Sequence, residues 1–312
     1  MIADAHIDTM SFLLHNHLEF GVRNSQSHVD LPRLLEAGVR LQICALFTRP
    51  VANRSVQLQE ILRQIAYARQ QFALNEDRVV HAETADQVRN LAADKLTAVL
   101  SVEGGGALAG DLAMLDILFA LGVRGLTLTW SHRNELGDGV GDPQAAGGLT
   151  GFGRQVVARM EELGMIVDVS HLSEAGFWDV MDTAQGPVVA SHSNAKALCN
   201  HPRNLTDAQL QAIGERNGFI GINFLPAFLD DAGIASVDSI RRHAVHIAEN
   251  AGVHCLGFGS DFDGISQLPE GIQDVLGFPQ ILEVLSKEFS SAEMELITHR
   301  NLQRVLTEIL PD

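Results

Sequence analysis

Short apolar runs rich in Val, Ile and Leu alternate along the chain with longer stretches in which apolar residues recur every three to four positions. The runs are MIADAHI from Met1, RLQICALF from Arg40, TAVLSVE from Thr97, GLTLTW from Gly125, MIVDVSH from Met165, PVVASH from Pro187, FIGINF from Phe219 and CLGFGSD from Cys255. Each has the length of a strand and is too short to stand as a helix. The amphipathic stretches, at 53–74, 84–92, 111–121, 150–163, 173–183, 206–217, 237–250 and 279–310, read as helices. Several open on a capping residue, Thr206 and Ser236 most clearly and Ser173 more weakly. Eight strand–helix repeats whose strands are apolar on both faces predict a parallel sheet covered by helices, and at that count a closed (β/α)₈ barrel. An open doubly wound sheet is the alternative.

Polar residues discriminate between the two. A barrel collects its site at the C-terminal ends of many strands, whereas a doubly wound sheet concentrates it at one switch point. Here His6 and Asp8 end the first run, Glu103 the third, His171 the fifth, His192 the sixth and Asp261 the eighth, while His132 follows the fourth. Such convergence on one rim favours the barrel. No linker-like segment interrupts the pattern, so residues 1–312 are read as one domain.

A net charge of -17 disfavours binding to a nucleic-acid backbone, which needs clustered Lys and Arg. The first ten residues lack a basic segment followed by an apolar one, and no apolar run is long enough to span a membrane. Cys44, Cys199 and Cys255 are odd in number and far apart, a poor disulfide framework that fits a reducing compartment. A soluble cytoplasmic protein is expected, with no nucleic acid or membrane as partner; a homodimer is compatible with the sequence.

His6 and Asp8, two apart at a strand end, can point the same way and share a cation. By itself H-x-D is a weak signal. VDVSH and VVASH, ending in His171 and His192, repeat the arrangement of an apolar run closed by imidazole, which would otherwise demand separate hydrogen-bond partners for each buried ring. Glu103 in SVEGGG stands between these groups and can bridge, with glycines at 104–106 giving the backbone room to approach a substrate closely. Three imidazoles and two carboxylates suit two divalent ions, Zn²⁺ first. A carboxylated lysine is no rival bridge, because Lys95, Lys196 and Lys287 end no strand. His15, His17, His28, His81, His243, His246, His254 and His299 are read as surface or structural residues.

The stretches DAHIDT, SVEGG, RGLTLTW, LTGFGRQVV, MIVDVSHLSE, PVVASHSNAKALCNHPRNLTD, GINF and GFGSDFDG, in this order and over nearly the whole chain, resemble the membrane (renal) dipeptidase family of zinc metallopeptidases. That resemblance implies His6 and Asp8 on one ion, His171 and His192 on the other, and Glu103 on both. It also implies Asp261 as the catalytic aspartate, Arg203 as the anchor of the substrate's terminal carboxylate, and hydrolysis of a dipeptide amide by a water that the ions activate. Three positions depart from the pattern. Trp130 stands where mammalian members have histidine, with His132 two residues on as the candidate for that substrate-binding and oxyanion role. Leu225 replaces a frequent tyrosine, which leaves Arg203 as sole strong anchor, and His299–Arg300 replace glycines, bearing on loop geometry. Two rivals remain: a metal-dependent hydrolase of lactones, cyclic amides or phosphotriesters, and a metal-binding protein without activity.

Overall fold

The computed structural model describes residues 1–51, 53–141 and 147–312. Its strands are β1 (Ile2–Ile7), β2 (Val39–Phe47), β3 (Val79–His81), β4 (Leu96–Glu103), β5 (Val123–Thr127), β6 (Ile166–Asp168), β7 (Val189–Ala190), β8 (Phe219–Ile222) and β9 (Leu256–Phe258). All pair in parallel, and contact between β2 and β4 closes β2-β1-β9-β8-β7-β6-β5-β4 into an eight-stranded barrel.

The ninth strand, β3, was not foreseen. It pairs Val79 with Leu96 and His81 with Ala98, flanking the first half of β4, while β5 pairs only with its second half from Leu100 onward. A three-residue run is too short to show a period. Helices Thr9–His15 and Leu31–Ala37 were also unread, the latter capped by Asp30 through the Arg33 amide. Position 279–310, expected as one helix, is broken into Phe278–Leu285, Ser291–Glu295, a π turn Leu296–Arg300 and Asn301–Ile309. His299 and Arg300 therefore lie in a helical turn, not a loop, and Asn301 beyond them donates to the carbonyls of Val253 and Leu256.

Register puts the site on one level. Phe47 lies beside Glu103, Glu103 beside Thr127 and Thr127 beside Asp168, so four neighbouring strands finish in a row. At the strand beginnings, Ala3, Leu41, Ile166, Val189 and Phe219 share an apolar cluster with Leu302, Val305 and Leu306, which seats the last helix away from that rim. Burial there supplies about 25 cal/mol per Å² of apolar surface. The capping residues read from sequence do cap: Thr206 accepts from the Gln209 amide, Ser173 from Gly176 and Ser236 from Asp238. Among the described residues, no helix is long and apolar enough to cross a membrane.

Two buried carboxylates borne on strands, Asp4 and Asp168, tie the barrel together near the rim. Buried Asp4 of β1 accepts from the amide and hydroxyl of Ser260 just beyond β9, at 2.9 and 2.5 Å. Buried Asp168 of β6 accepts from Thr127 Oγ1 of β5 and from the amide and hydroxyl of Ser191 beyond β7. A buried charge is tolerated only with such satisfaction.

Candidate metal centre and substrate cavity

Six of the predicted residues meet above the strand ends. Glu103 Oε1 lies 3.0 Å from His171 Nε2, 3.4 Å from His192 Nε2 and 3.9 Å from His6 Nε2. The facing Nε2 atoms of His171 and His192 are 2.9 Å apart. Asp8 Oδ2 and Asp261 Oδ1 stand 3.4 and 3.9 Å from His6 Nε2. Two ligand-like sets result, one of Glu103, His171 and His192, the other of His6, Asp8 and Asp261.

Backbone conformation accounts for part of this. β6 and β9 stop three residues short of His171 and Asp261, and both residues adopt left-handed backbone, with φ of 65° and 64°. That conformation is uncommon outside glycine and is held only where the surroundings enforce it. Gly264 is required for a different reason: a Cβ there would lie 2.1 Å from Asp8 Oδ2 and 2.4 Å from Asp261 Oδ1.

Ser191, unforeseen from the sequence, sets a tautomer. Its hydroxyl donates to Asp168 Oδ2 at 2.6 Å, so towards His192 Nδ1, 2.7 Å away, it can only accept. His192 thus carries its proton on Nδ1 and presents a bare Nε2 to the centre, the state a metal ligand needs. Ser191 Oγ also lies 3.4 Å from His6 Nδ1, and Ser131 Oγ 2.9 Å from His171 Nδ1. Asp168 is itself within ligand range of His6 and His192, yet its two oxygens already accept four hydrogen bonds, which makes it a support. An aspartate inside the apolar run MIVDVSH was the signal available for it.

Charge at the centre is unbalanced without a cation. Burial, and then the charge of Asp8, push the Glu103 carboxyl well above the usual range. Burial, with His6 and Arg203, holds His171 and His192 well below ordinary imidazole. For His6 burial works against the charged ring, but the carboxylates facing it, Asp8 at 3.4 Å first and then Glu103 and Asp261, prevail and lift it to about 10. The carboxylates around His6 call for positive charge, as a proton on the ring or as a cation between them. Buried His6 Nε2 and Asp8 Oδ1 have no hydrogen-bond partner, a costly state that coordination would relieve. The donor set therefore fits divalent metal.

The centre opens into a cavity of about 610 Å³ whose lining includes Phe12, Trp130, His201, Arg203, Leu225 and Phe228. Arg203 is buried, its Nη2 donates to the His192 carbonyl at 3.0 Å, and its Nε is unpartnered. Burial pulls its guanidinium down to about 10, against the opposing charges of Asp261 and Glu103. Asp207, four residues beyond Arg203 and first in the helix Asp207–Glu215, is engaged by His246 at 2.7 Å. His132 is not brought to this cavity. It is exposed, its ring centroid 5.7 Å from that of Trp130, and Trp130 takes the lining position, 6.0 Å from His171. His201, absent from the sequence-based candidates, does line it. The three cysteines are free and buried.

The family model for membrane dipeptidase, peptidase family M19, matches residues 1–310. The chain is 36% identical over 258 residues to an uncharacterized protein in the pqqA 5' region of Klebsiella pneumoniae, covering 79% of this chain and 95% of that one. It superposes with a TM-score of 0.93 and 30% identity on a metallopeptidase from Rhodobacter sphaeroides liganded with a phosphinate mimic of the dipeptide L-Ala-D-Ala, over 99% of both chains. A second solved structure, the metallopeptidase dipeptidase AC, gives a TM-score of 0.93 at 31% identity, over 100% of this chain and 99% of that one. With its closed parallel barrel, its cluster of imidazoles and carboxylates, and a family match along nearly its whole length, the chain belongs to the membrane dipeptidase family and is a metal-dependent dipeptidase.

Proposed function

We propose that His6, Asp8, Glu103, His171 and His192 hold two divalent cations, Glu103 touching both, and that the substrate is a dipeptide with a free terminal carboxylate. The observation that carries this reading is the position of Glu103 Oε1, within 3.9 Å of all three imidazole Nε2 atoms at the junction of the two ligand sets. Zinc suits a mixed nitrogen and oxygen set. When bound, the ions supply Lewis acidity, lowering the pKa of a water and polarising the scissile carbonyl.

The chain's own residues do the rest. Asn223 Nδ2 donates to Asp261 Oδ2 at 2.8 Å and so fixes the carboxyl, leaving Oδ1 turned to the centre. Burial, and the charge of Asp8 against that of His6, raise Asp261 to about 7, a range suited to taking a proton and giving it back. Asp261 Oδ1 accepts the proton of the attacking water and returns it to the departing amine nitrogen as the C–N bond breaks. Arg203 receives the terminal carboxylate, and Trp130, Leu225 and Phe228 exclude water around the peptide. The buried, unpaired cysteines support a reducing, cytoplasmic setting.

Asp261→Asn tests the division of labour. Metal content should stay unchanged while kcat falls roughly 10²-fold, the ordinary contribution of a general acid/base. A variant with normal kcat, or one that loses an ion, would show that Asp261 does not transfer the proton.

A further inference from the structure

The terminal carboxylate of a dipeptide presents more hydrogen-bond capacity than one guanidinium edge satisfies. Leu225, on the cavity wall, offers no donor. His201 lies two residues before Arg203 and lines the same cavity. Its ring packs against Phe228 with centroids 4.4 Å apart, and the Arg203 guanidinium stands 5.5 Å from the same Phe228 ring. Both groups thus share one apolar support.

The tautomer of His201 follows from its backbone contact. Nδ1 accepts the Arg203 amide at 3.1 Å, which a protonated Nδ1 could not do. The proton of the neutral ring is on Nε2, at the opposite edge, and among the described residues no protein group accepts it. Burial, reinforced by the Arg203 charge, keeps the ring neutral. A fixed N–H donor without a partner, beside a guanidinium whose Nε is also unpartnered, is the arrangement that receives an anion with two oxygens.

We infer that His201 is the second donor to the substrate's terminal carboxylate, its Nε2–H pairing with one oxygen while Arg203 pairs with the other. The inference rests on the dipeptidase reading of the site. It replaces the expectation that Arg203 is the sole anchor, and makes His201 a specificity-determining residue for substrates ending in a carboxylate.

The test uses the metal-loaded full chain and compares a dipeptide with the same dipeptide amidated at its C-terminus, in wild type, His201→Leu and His201→Gln. For the free acid, His201→Leu should raise KM roughly ten- to a hundredfold, the scale of one hydrogen bond to a charged group, with kcat within about twofold. KM for the amide should not move, and His201→Gln, which keeps an N–H donor, should recover much of the loss. Equal changes for acid and amide with a lower melting temperature would reduce His201 to a cap on the turn before Arg203, and an unchanged KM for the acid would overturn the inference outright. Both outcomes leave wild-type dipeptide hydrolysis intact, whereas a wild type that hydrolyses no dipeptide would overturn the underlying reading as well.

Discussion

Glu103→Gln is expected to lower kcat/KM for dipeptides by roughly 10³- to 10⁴-fold, because about 4–6 kcal/mol of transition-state stabilisation depends on two ions acting together. The bound metal should fall below two ions per chain. Folding should survive. Burial and the nearby carboxylates of Asp8 and Asp261 make ionisation of Glu103 costly in the metal-free chain, and an amide of the same shape removes that cost instead of leaving a hole. The melting temperature of the metal-free variant should therefore equal or exceed that of the metal-free wild type, while the increment gained on adding metal should shrink. Calorimetry with and without a chelator separates the two. A variant that binds two ions and turns over normally would remove Glu103 from the centre.

Arg203→Ala is the second large effect and differs in kind. Truncating a buried guanidinium that meets a carboxylate removes about 2–5 kcal/mol, roughly 30- to several-thousand-fold in kcat/KM, much of it from the partner left unpaired. The loss should fall on substrates with a free terminal carboxylate and spare C-terminally amidated dipeptides, where that partner is absent. Asp207, the carboxylate four residues beyond Arg203, pairs with His246, so an Arg203–Asp207 ion pair would not account for a selective result. Parallel measurements of kcat/KM on acid and amide decide it, and equal losses would withdraw the anchor role.

Much of the site was legible because barrel geometry sends chemistry to strand ends. His6, Glu103, His171, His192 and Asp261 were each recognisable as a polar residue closing an apolar run, and the structure brings them together. What could not be read were groups whose role depends on contacts across strands. Ser191 is one of many serines until its hydroxyl is seen donating to Asp168 and accepting from His192. His201, which stands in the sequence only as part of the matched stretch around Arg203, shows no role until its Nδ1 is seen to accept the Arg203 amide. His132 illustrates the opposite failure: β5 ends at Thr127, earlier than the apolar run suggested, and the rim position passes to Trp130. β3 escaped because three residues carry no periodicity, and the last helix was misread as continuous because its breaks at 286–290 and at the π turn keep the apolar spacing.

The central claim is a centre of two ions joined by Glu103, and elemental analysis of the purified chain, before and after chelation and alongside dipeptide turnover, tests it most directly. Two divalent ions per chain, lost together with activity on chelation and restored together on adding metal back, is the predicted result. Full activity at one ion per chain, or dipeptide hydrolysis that survives complete removal of metal, would contradict it.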